Sequence, residues 1–472
     1  MEIPQAFIAQ MLPLLGEEET QQLVEALQTQ APVSIRMNRQ KAVSIDARET
    51  TPVPWCATGR YLKERPSFTF DPLFHAGCYY VQEASSMFLE QVMKQYVQEP
   101  VVMLDLCAAP GGKSTHALSL LKEGSLLVAN EIVPQRAWIL AENLSKWGSA
   151  DVVVTNNDPS AFTSFENLFD VVLTDVPCSG EGMFRKDDTA ISEWSPENVE
   201  LCWQRQRHIL SDIWPSLKPG GLLVYSTCTF NRQEDEDNVA WIAEELGAEV
   251  LPVEVPKEWG ITGNLTEKDF PVYRFLPHKT RGEGLFMAVL RKNAADYRPF
   301  SPRTAKKKEK QKPTTLPKDL LKQACTWINA TNGYELQNEG EALFAFPSAY
   351  FPLLSSLRTS LRILKAGVKV AEVKGRDLIP AHEMVLSLIY NKEAFPSVEL
   401  SEEQAITYLR REALTLQDAP RGYVVVTNRH VPLGLVKNLG SRANNLYPAE
   451  WRIRSSYLKS FKSSSMSQNS SE

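Results

Sequence analysis

Between residues 100 and 291, apolar β-rich runs alternate with amphipathic stretches, which predicts strands over 101–107, 125–131, 151–157, 169–176 and 221–229. These runs are nearly continuous in apolar residues rather than alternating, the pattern of a parallel sheet buried on both faces. The intervening helices show a different period. After Pro134, tolerated where a first turn needs no N–H, the residues Ala137, Leu140, Ala141, Leu144 and Trp147 recur at three- and four-residue spacing, and Gly148 closes the helix. Two further runs, 273–279 and 285–291, flank the turn-prone TRGEG and predict an antiparallel hairpin at the sheet edge. The fold class that follows is α/β, with a Rossmann-like core over 96–293.

Outside that core the pattern changes. Residues 1–95 open with a helical period (Phe7, Met11, Leu14, Leu15, Leu23, Leu27) and pass into short strand-like pieces broken by Pro, a small α+β module. The run SPRTAKKKEKQKPTTLPK has no apolar period, so 294–318 is expected to be a basic linker. Residues 319–392 mix helix and strand signals, an intermediate α+β domain. In 393–462 a strand over 422–427 leads into the hairpin-like NRHVPLG, and the Ser-rich tail 463–472 is expected to be disordered.

Composition narrows the class. At 472 residues, two to four domains are expected. The start has no basic n-region or cleavage site and no apolar run reaches the roughly 18 residues that span a bilayer, so a cytoplasmic protein without membrane contact is expected. Seven scattered Cys with no CxxC pair fit neither a disulfide framework nor a metal site, and the thiols are expected to be reduced. The net charge of −6 argues against indiscriminate nucleic-acid coating, but it hides asymmetry. Residues 291–318 carry ten Lys and Arg against two acids and 419–462 eight against one, whereas 231–258 holds nine acids against two bases. Such runs read either as solvated faces or, where basic, as polyanion contacts.

The segment VVMLDLCAAPGGKSTHALSLL places strand, Gly-containing loop and helix in succession, the arrangement that binds a nucleotide at the strand ends of a doubly wound sheet. Gly111 and Gly112 allow close ligand approach. The loop is neither GxGxxG nor a P-loop, because Cys107 stands where GxxxxGKS needs its first Gly. Glu131 after the second strand can accept from ribose hydroxyls and Asp158 after the third from an adenine amine. Each acid alone is as readily a loop cap. Recurring at successive strand ends, they point to an adenosyl cofactor without phosphates, S-adenosylmethionine rather than NAD.

Asp175, Pro177, Cys178 and Cys228 fall at the same carboxyl edge. Cys56, Cys78, Cys202 and Cys325 read as ordinary apolar residues. Carbon 5 of cytosine is a poor nucleophile, so methylating it calls for a thiolate adding at carbon 6. Asp175 would stabilise charge on the ring, Lys113 would favour the thiolate, and a second thiol would help release; chemistry alone permits either cysteine to attack.

Carried by DLCAAPGGK, DVPCSGEGMFRKD and YSTCT in that order, the chain resembles the Nol/Nop/Sun family of RNA cytosine-5 methyltransferases. The resemblance implies that Cys228 is the nucleophile and that Cys178 assists release. It also implies cofactor contacts from Cys107, Ala108, Ala109, Pro110, Gly111, Gly112, Lys113, Glu131, Asp158 and Asp175. YYVQEASSM looks like the family's element leading into the catalytic domain, and NLGSRANNLYPAEWRIR like the PUA-like region of its RsmF-type bacterial branch. That branch implies an RRM-like module at the amino terminus and a substrate in 16S rRNA or the small ribosomal subunit, bound by a monomer. Tyr447 and Trp451 are stacking candidates, though each alone is more often core. The competing readings are a tRNA cytosine-5 methyltransferase, an enzyme methylating an exocyclic amine, which needs no covalent thiol, and a non-catalytic rRNA assembly factor.

Overall fold

A computed structural model describes residues 2–41, 50–302, 316–329, 333–416 and 418–455. The chain forms two compact units, Met1–Pro66 with Leu73–Ala394, and Ser67–Pro72 with Phe395–Glu472. Part of the linker expected over 294–318, part of the basic segment ending at 462 and the whole expected tail 463–472 lie outside the described residues.

The first unit opens with a helix, Gln5–Leu27, broken at Gly16 (φ 76°, ψ 176°). Four strands follow, β1 (Val33–Met37), β2 (Thr50–Val53), β3 (Cys56–Leu62) and β4 (Tyr79–Val81), in an antiparallel sheet of order β2-β3-β1-β4. The helix does not pack on that sheet. Phe7, Met11 and Leu23 bury themselves with Phe184, Trp194, Phe230 and Leu276, residues beside the two cysteine loops.

The main sheet has nine strands. β5 (Val102–Asp105), β6 (Leu126–Asn130), β7 (Val152–Thr155), β8 (Phe169–Asp175) and β9 (Leu217–Thr227) are its parallel centre, each of the five expected strands appearing slightly trimmed or shifted at its ends. Alternate residues feed opposite faces. Met103, Leu127, Val152, Val171 and Val224 enter one core and Leu104, Val128, Val153, Val172 and Leu223 the other, which is why the runs read as continuously apolar. From β5 the chain builds outward through β6 and β7, then returns to add β8 and β9 on the other flank. A crevice therefore opens above the carboxyl ends of β5 and β8.

β10 (Ala248–Leu251), β11 (Tyr273–Phe275) and β12 (Leu285–Lys292) complete that flank. The expected hairpin forms with β11 at the edge, but β12 is one strand in. β12 lies between β9 and β10, because its first six residues are buried and need neighbours on both sides.

Residues beyond the linker build a second antiparallel sheet from β13 (Tyr334–Glu339), β14 (Ala342–Pro347), β16 (Val368–Lys374) and β17 (Asp377–Pro380). The strand β15 (Ile363–Ala366) from the same segment instead pairs antiparallel with β7, so the segment extends the main sheet. Gly367 makes the turn between them at φ 62°, where a Cβ would sit 2.0 Å from the Ala345 carbonyl oxygen.

The second unit carries β18 (Ser397–Glu399), β19 (Gly422–Asn428), β20 (Val431–Asn438) and β21 (Ala443–Asn445) in that order. Tyr447 is buried edge-on against Tyr408 and Trp451, which makes it core and removes it as a base-stacking candidate. Among the described residues no helix is long and apolar enough to cross a membrane.

Arg36 on β1 couples the amino-terminal sheet to the main one. Fully buried, it donates to Gln82 Oε1 (2.7 Å) and Thr115 Oγ1 (2.5 Å) and lies 4.4 Å from the Trp147 ring centre. Thr115 belongs to the helix Gly112–Leu120 that follows the cofactor loop. Hydrogen bonds from charged donors are worth about 1.5–3 kcal/mol. Arg36→Met is therefore expected to lower the unfolding free energy by about 2–3 kcal/mol with little change in m-value, measured by urea denaturation.

Candidate active site

β5 ends at Asp105, and the chain then turns through Cys107–Gly111 into the helix Gly112–Leu120. The turn needs Gly111, whose φ is 112°. Neighbouring groups hold the loop open, with Ala109 O accepting from Arg136 Nη2 (2.8 Å), Pro110 O from Asn143 Nδ2 (2.8 Å), and the Ala108 N–H donating to Asn130 O (2.8 Å). Asp105 is fully buried. Its Oδ2 accepts from Ser114 Oγ (2.6 Å), but Oδ1 has no partner among the described residues. Burial raises this carboxyl from 3.8 to about 7, with the charge of Asp175 adding to the effect and Ser114 opposing it.

A cavity of about 340 Å³ opens above these strand ends. Asp105, Cys107, Ala108, Ala109, Pro110, Gly112, Lys113, Asp175 and Cys228 line it, together with Tyr80, Gln82, Met183, Lys186 and Glu283. Of the acids expected to hold the cofactor, Asp175 lines it and two do not. Glu131 accepts from the Val133 N–H (2.9 Å) and stands 3.6 Å from Arg136. Asp158 is exposed and caps the turn Pro159–Phe162 by accepting from Ser160 N and Oγ. Asp105 was not among the expected site residues, although it ends the strand that carries the cofactor loop.

At the cavity floor Lys113 Nζ meets Asp175 Oδ2 at 2.7 Å, and Ser226 donates to Asp175 Oδ1 at 2.8 Å. Burial works against the Lys113 ammonium, but Asp175 outweighs it and holds the group charged, with the Cys228 thiol contributing in the same sense. The sulfurs of Cys178 and Cys228 are 3.2 Å apart. Cys228 lines the cavity; Cys178 does not. Hydrogen bonding to Cys228, then burial, pushes the Cys178 thiol well above its ordinary range, so it rests protonated.

Two buried carboxylates lock these thiols together by reaching across from one loop to the other. Glu181, three residues after Cys178, accepts from the Phe230 N–H (2.7 Å) and from Asn231 (3.1 Å) on the Cys228 side. Glu234, from the Cys228 side, accepts from the Ser179 N–H (3.1 Å). Gly182 N also donates to Cys228 O (2.8 Å), an approach so close that a Cβ at Gly182 would lie 2.9 Å from that oxygen. Behind them Arg274 is fully buried between Asp235 (3.1 Å) and Glu236 and donates to Phe230 O (2.8 Å). The acidic run 231–258 is thus not simply a solvated face: Glu234, Asp235 and Glu236 are completely buried.

The residues present fit an adenosyl ligand without phosphates. Among the described residues both lysines that line the cavity are already paired, Lys113 with Asp175 and Lys186 with Glu283, so neither is left to neutralise a phosphate. Fold and site together define an S-adenosylmethionine-dependent methyltransferase with a Rossmann-like core. Residues 92–291 match the family described as 16S rRNA methyltransferase RsmB/F, residues 3–84 the N-terminal domain of 16S rRNA methyltransferase RsmF, and residues 395–453 the methyltransferase RsmF PUA domain. The chain is 33% identical to ribosomal RNA small subunit methyltransferase F of Klebsiella pneumoniae and of Escherichia coli K12, in each case over 95% of this chain and 96% of that protein. It belongs to that family. Among solved structures, a methyltransferase homolog from Pyrococcus horikoshii is 27% identical with a TM-score of 0.52, covering 61% of this chain and 95% of that one. NSun6 from the same organism, solved with SFG, shares the fold at 21% identity and a TM-score of 0.53, covering 62% and 98%.

Burial also raises Glu234 from 4.5 to about 7, opposed by Ser179 and Asn231. The folded protein therefore keeps protons on Asp105 and Glu234 that the unfolded chain releases. That contribution is complete below their ordinary values and is lost as pH rises through about 7. Buried His116 and His382, lowered by burial to about 4 and about 3, act in the opposite sense below about pH 6.5, so the test is differential: the stability advantage of the wild type over Glu234→Gln, measured by urea titration, is expected to shrink as pH rises from about 5 to about 8.

Proposed function

We propose that the protein methylates carbon 5 of cytidine in 16S rRNA through a covalent adduct of Cys228 with carbon 6. The single observation that carries the reading is a pair of thiols in contact beside the cofactor cavity, of which one faces the cavity. A methyltransferase acting on an exocyclic amine has no use for either. The substrate is supported by the relatives' name, ribosomal RNA small subunit methyltransferase F.

Bound S-adenosylmethionine supplies the electrophilic methyl group. Cys228, as thiolate, would add to carbon 6 and move electron density to carbon 5, making it the nucleophile that would take a methyl from the donor, which would leave as the neutral thioether. The negative charge that builds on the ring is met by the Lys113 ammonium, which Asp175 holds in place from 2.7 Å. For release, a base takes the carbon 5 proton, the electrons of that carbon–hydrogen bond restore the double bond between carbons 5 and 6, and the carbon 6–sulfur bond breaks with Cys228 leaving as thiolate. Cys178, 3.2 Å away and protonated at rest, assists that departure.

Two variants separate the roles. Cys228→Ala is expected to abolish methyl transfer, and Cys178→Ala to accumulate a protein–RNA adduct that survives denaturing electrophoresis. Bisulfite sequencing of rRNA from cells with and without the protein locates the product; undiminished carbon 5 methylation by Cys228→Ala would overturn the covalent reading.

A further inference from the structure

A basic furrow runs away from the catalytic cavity, and nothing in the reaction as described uses it. Its inner part, about 450 Å³, shares Val81, Gln82, Glu83 and Lys186 with the cavity wall. Its outer part, about 490 Å³, shares Pro32, Val33, Arg65 and Arg185 with the inner part and continues to Lys63 and Arg281. The two parts hold Lys63, Arg65, Arg185, Arg281 and Lys186, the last paired with Glu283 of the cavity wall, against Glu64 and Glu83 in their own lining.

One of those acids faces inward. Glu83 spends both oxygens on backbone N–H groups, those of Ser85, Ser86 and Glu283. The bases are differently placed. Arg185 is held by neutral acceptors, the carbonyls of Gly282 (2.8 Å) and Gln30 (3.0 Å) and the Thr29 hydroxyl (2.7 Å), with no carboxylate in ion-pair range among the described residues. Arg281 is exposed, donates to Thr51 Oγ1 (3.1 Å) and lies 4.3 Å from the Tyr61 ring centre, again without an acid partner among the described residues. Arginines held rigidly by neutral groups keep their charge for a ligand.

We propose that this furrow binds the phosphates of the single-stranded RNA flanking the target cytidine. The inference rests on the proposed function. A base that reaches Cys228 must be unstacked and drawn into the cavity, so its flanking backbone must leave through the mouth, and the mouth continues as this furrow. Pro32, Val33 and Leu62 give it apolar walls against which sugars and bases pack.

The test uses the full-length double variant Lys63→Ala, Arg281→Ala, since neither residue lines the catalytic cavity. Affinity for a labelled single-stranded oligonucleotide of 16S rRNA sequence is measured by anisotropy across a salt series. The slope of log affinity against log salt is expected to become shallower by roughly 0.7 for each phosphate no longer neutralised, about 1.4 for the pair. Lys63→Arg with Arg281→Lys is expected to restore it, and calorimetric affinity for S-adenosylmethionine to stay unchanged. An unchanged slope overturns the proposal. So does a variant that keeps its RNA slope but loses activity on isolated small subunits, because the furrow then serves a protein surface. Methylation by the wild type is scored separately; if it modifies no cytidine, the proposed reaction falls while the slope still decides the furrow.

Discussion

The active site depends on the reciprocal bracing of two loops by buried carboxylates. Glu181 leaves the Cys178 loop to satisfy an N–H of the Cys228 loop, and Glu234 does the reverse. Each is surrounded by donors, Gln10, Trp194 and Asn231 for Glu181 and Ser179, Gln206 and Asn231 for Glu234. Burying carboxylates is costly, and the cost is offset only while every donor stays in place. The two loops are therefore tied to each other, and the same ties hold the sulfurs 3.2 Å apart. Arg274, wedged between Asp235 and Glu236, extends the same brace to β11.

Two amino-terminal elements help to hold this edge. The amino-terminal helix packs Phe7 against Phe184, Trp194 and Phe230, covering the brace from one side. The amino-terminal sheet reaches the cofactor helix through Arg36 and the β11–β12 connection through Glu83. A module that reads in isolation as an RNA-binding appendage is thus part of the catalytic wall. Its Tyr80 and Gln82 line the cavity beside Gly112, so substrate handling and cofactor binding share one surface.

Much of the fold was legible along the chain because the parallel strands are buried on both faces, and their near-continuous apolar runs leave little else for those segments to be. Pro134 and Gly148 marked a helix that spans Pro134–Trp147. The strands that escaped are those whose burial comes from neighbours rather than from their own composition. β10 and β15 are four residues each and take their place only by pairing with β12 and β7. Short strands carry too little periodicity to stand out from loop.

The same division holds at the site. Sequence by itself determined the chemistry available, a glycine loop at a strand end and two cysteines carried to one sheet edge, since strand order and local turns put them there. Which carboxylates matter was left to the tertiary structure. Asp158 became a turn cap, Asp105 a buried acid with an open oxygen, and an acidic run that looks solvent-loving became the brace between the loops. Local pattern encodes where the backbone goes, because period and turn residues act over a few positions. Ionisation, burial and partner choice depend on groups far apart along the chain, and only packing brings those together.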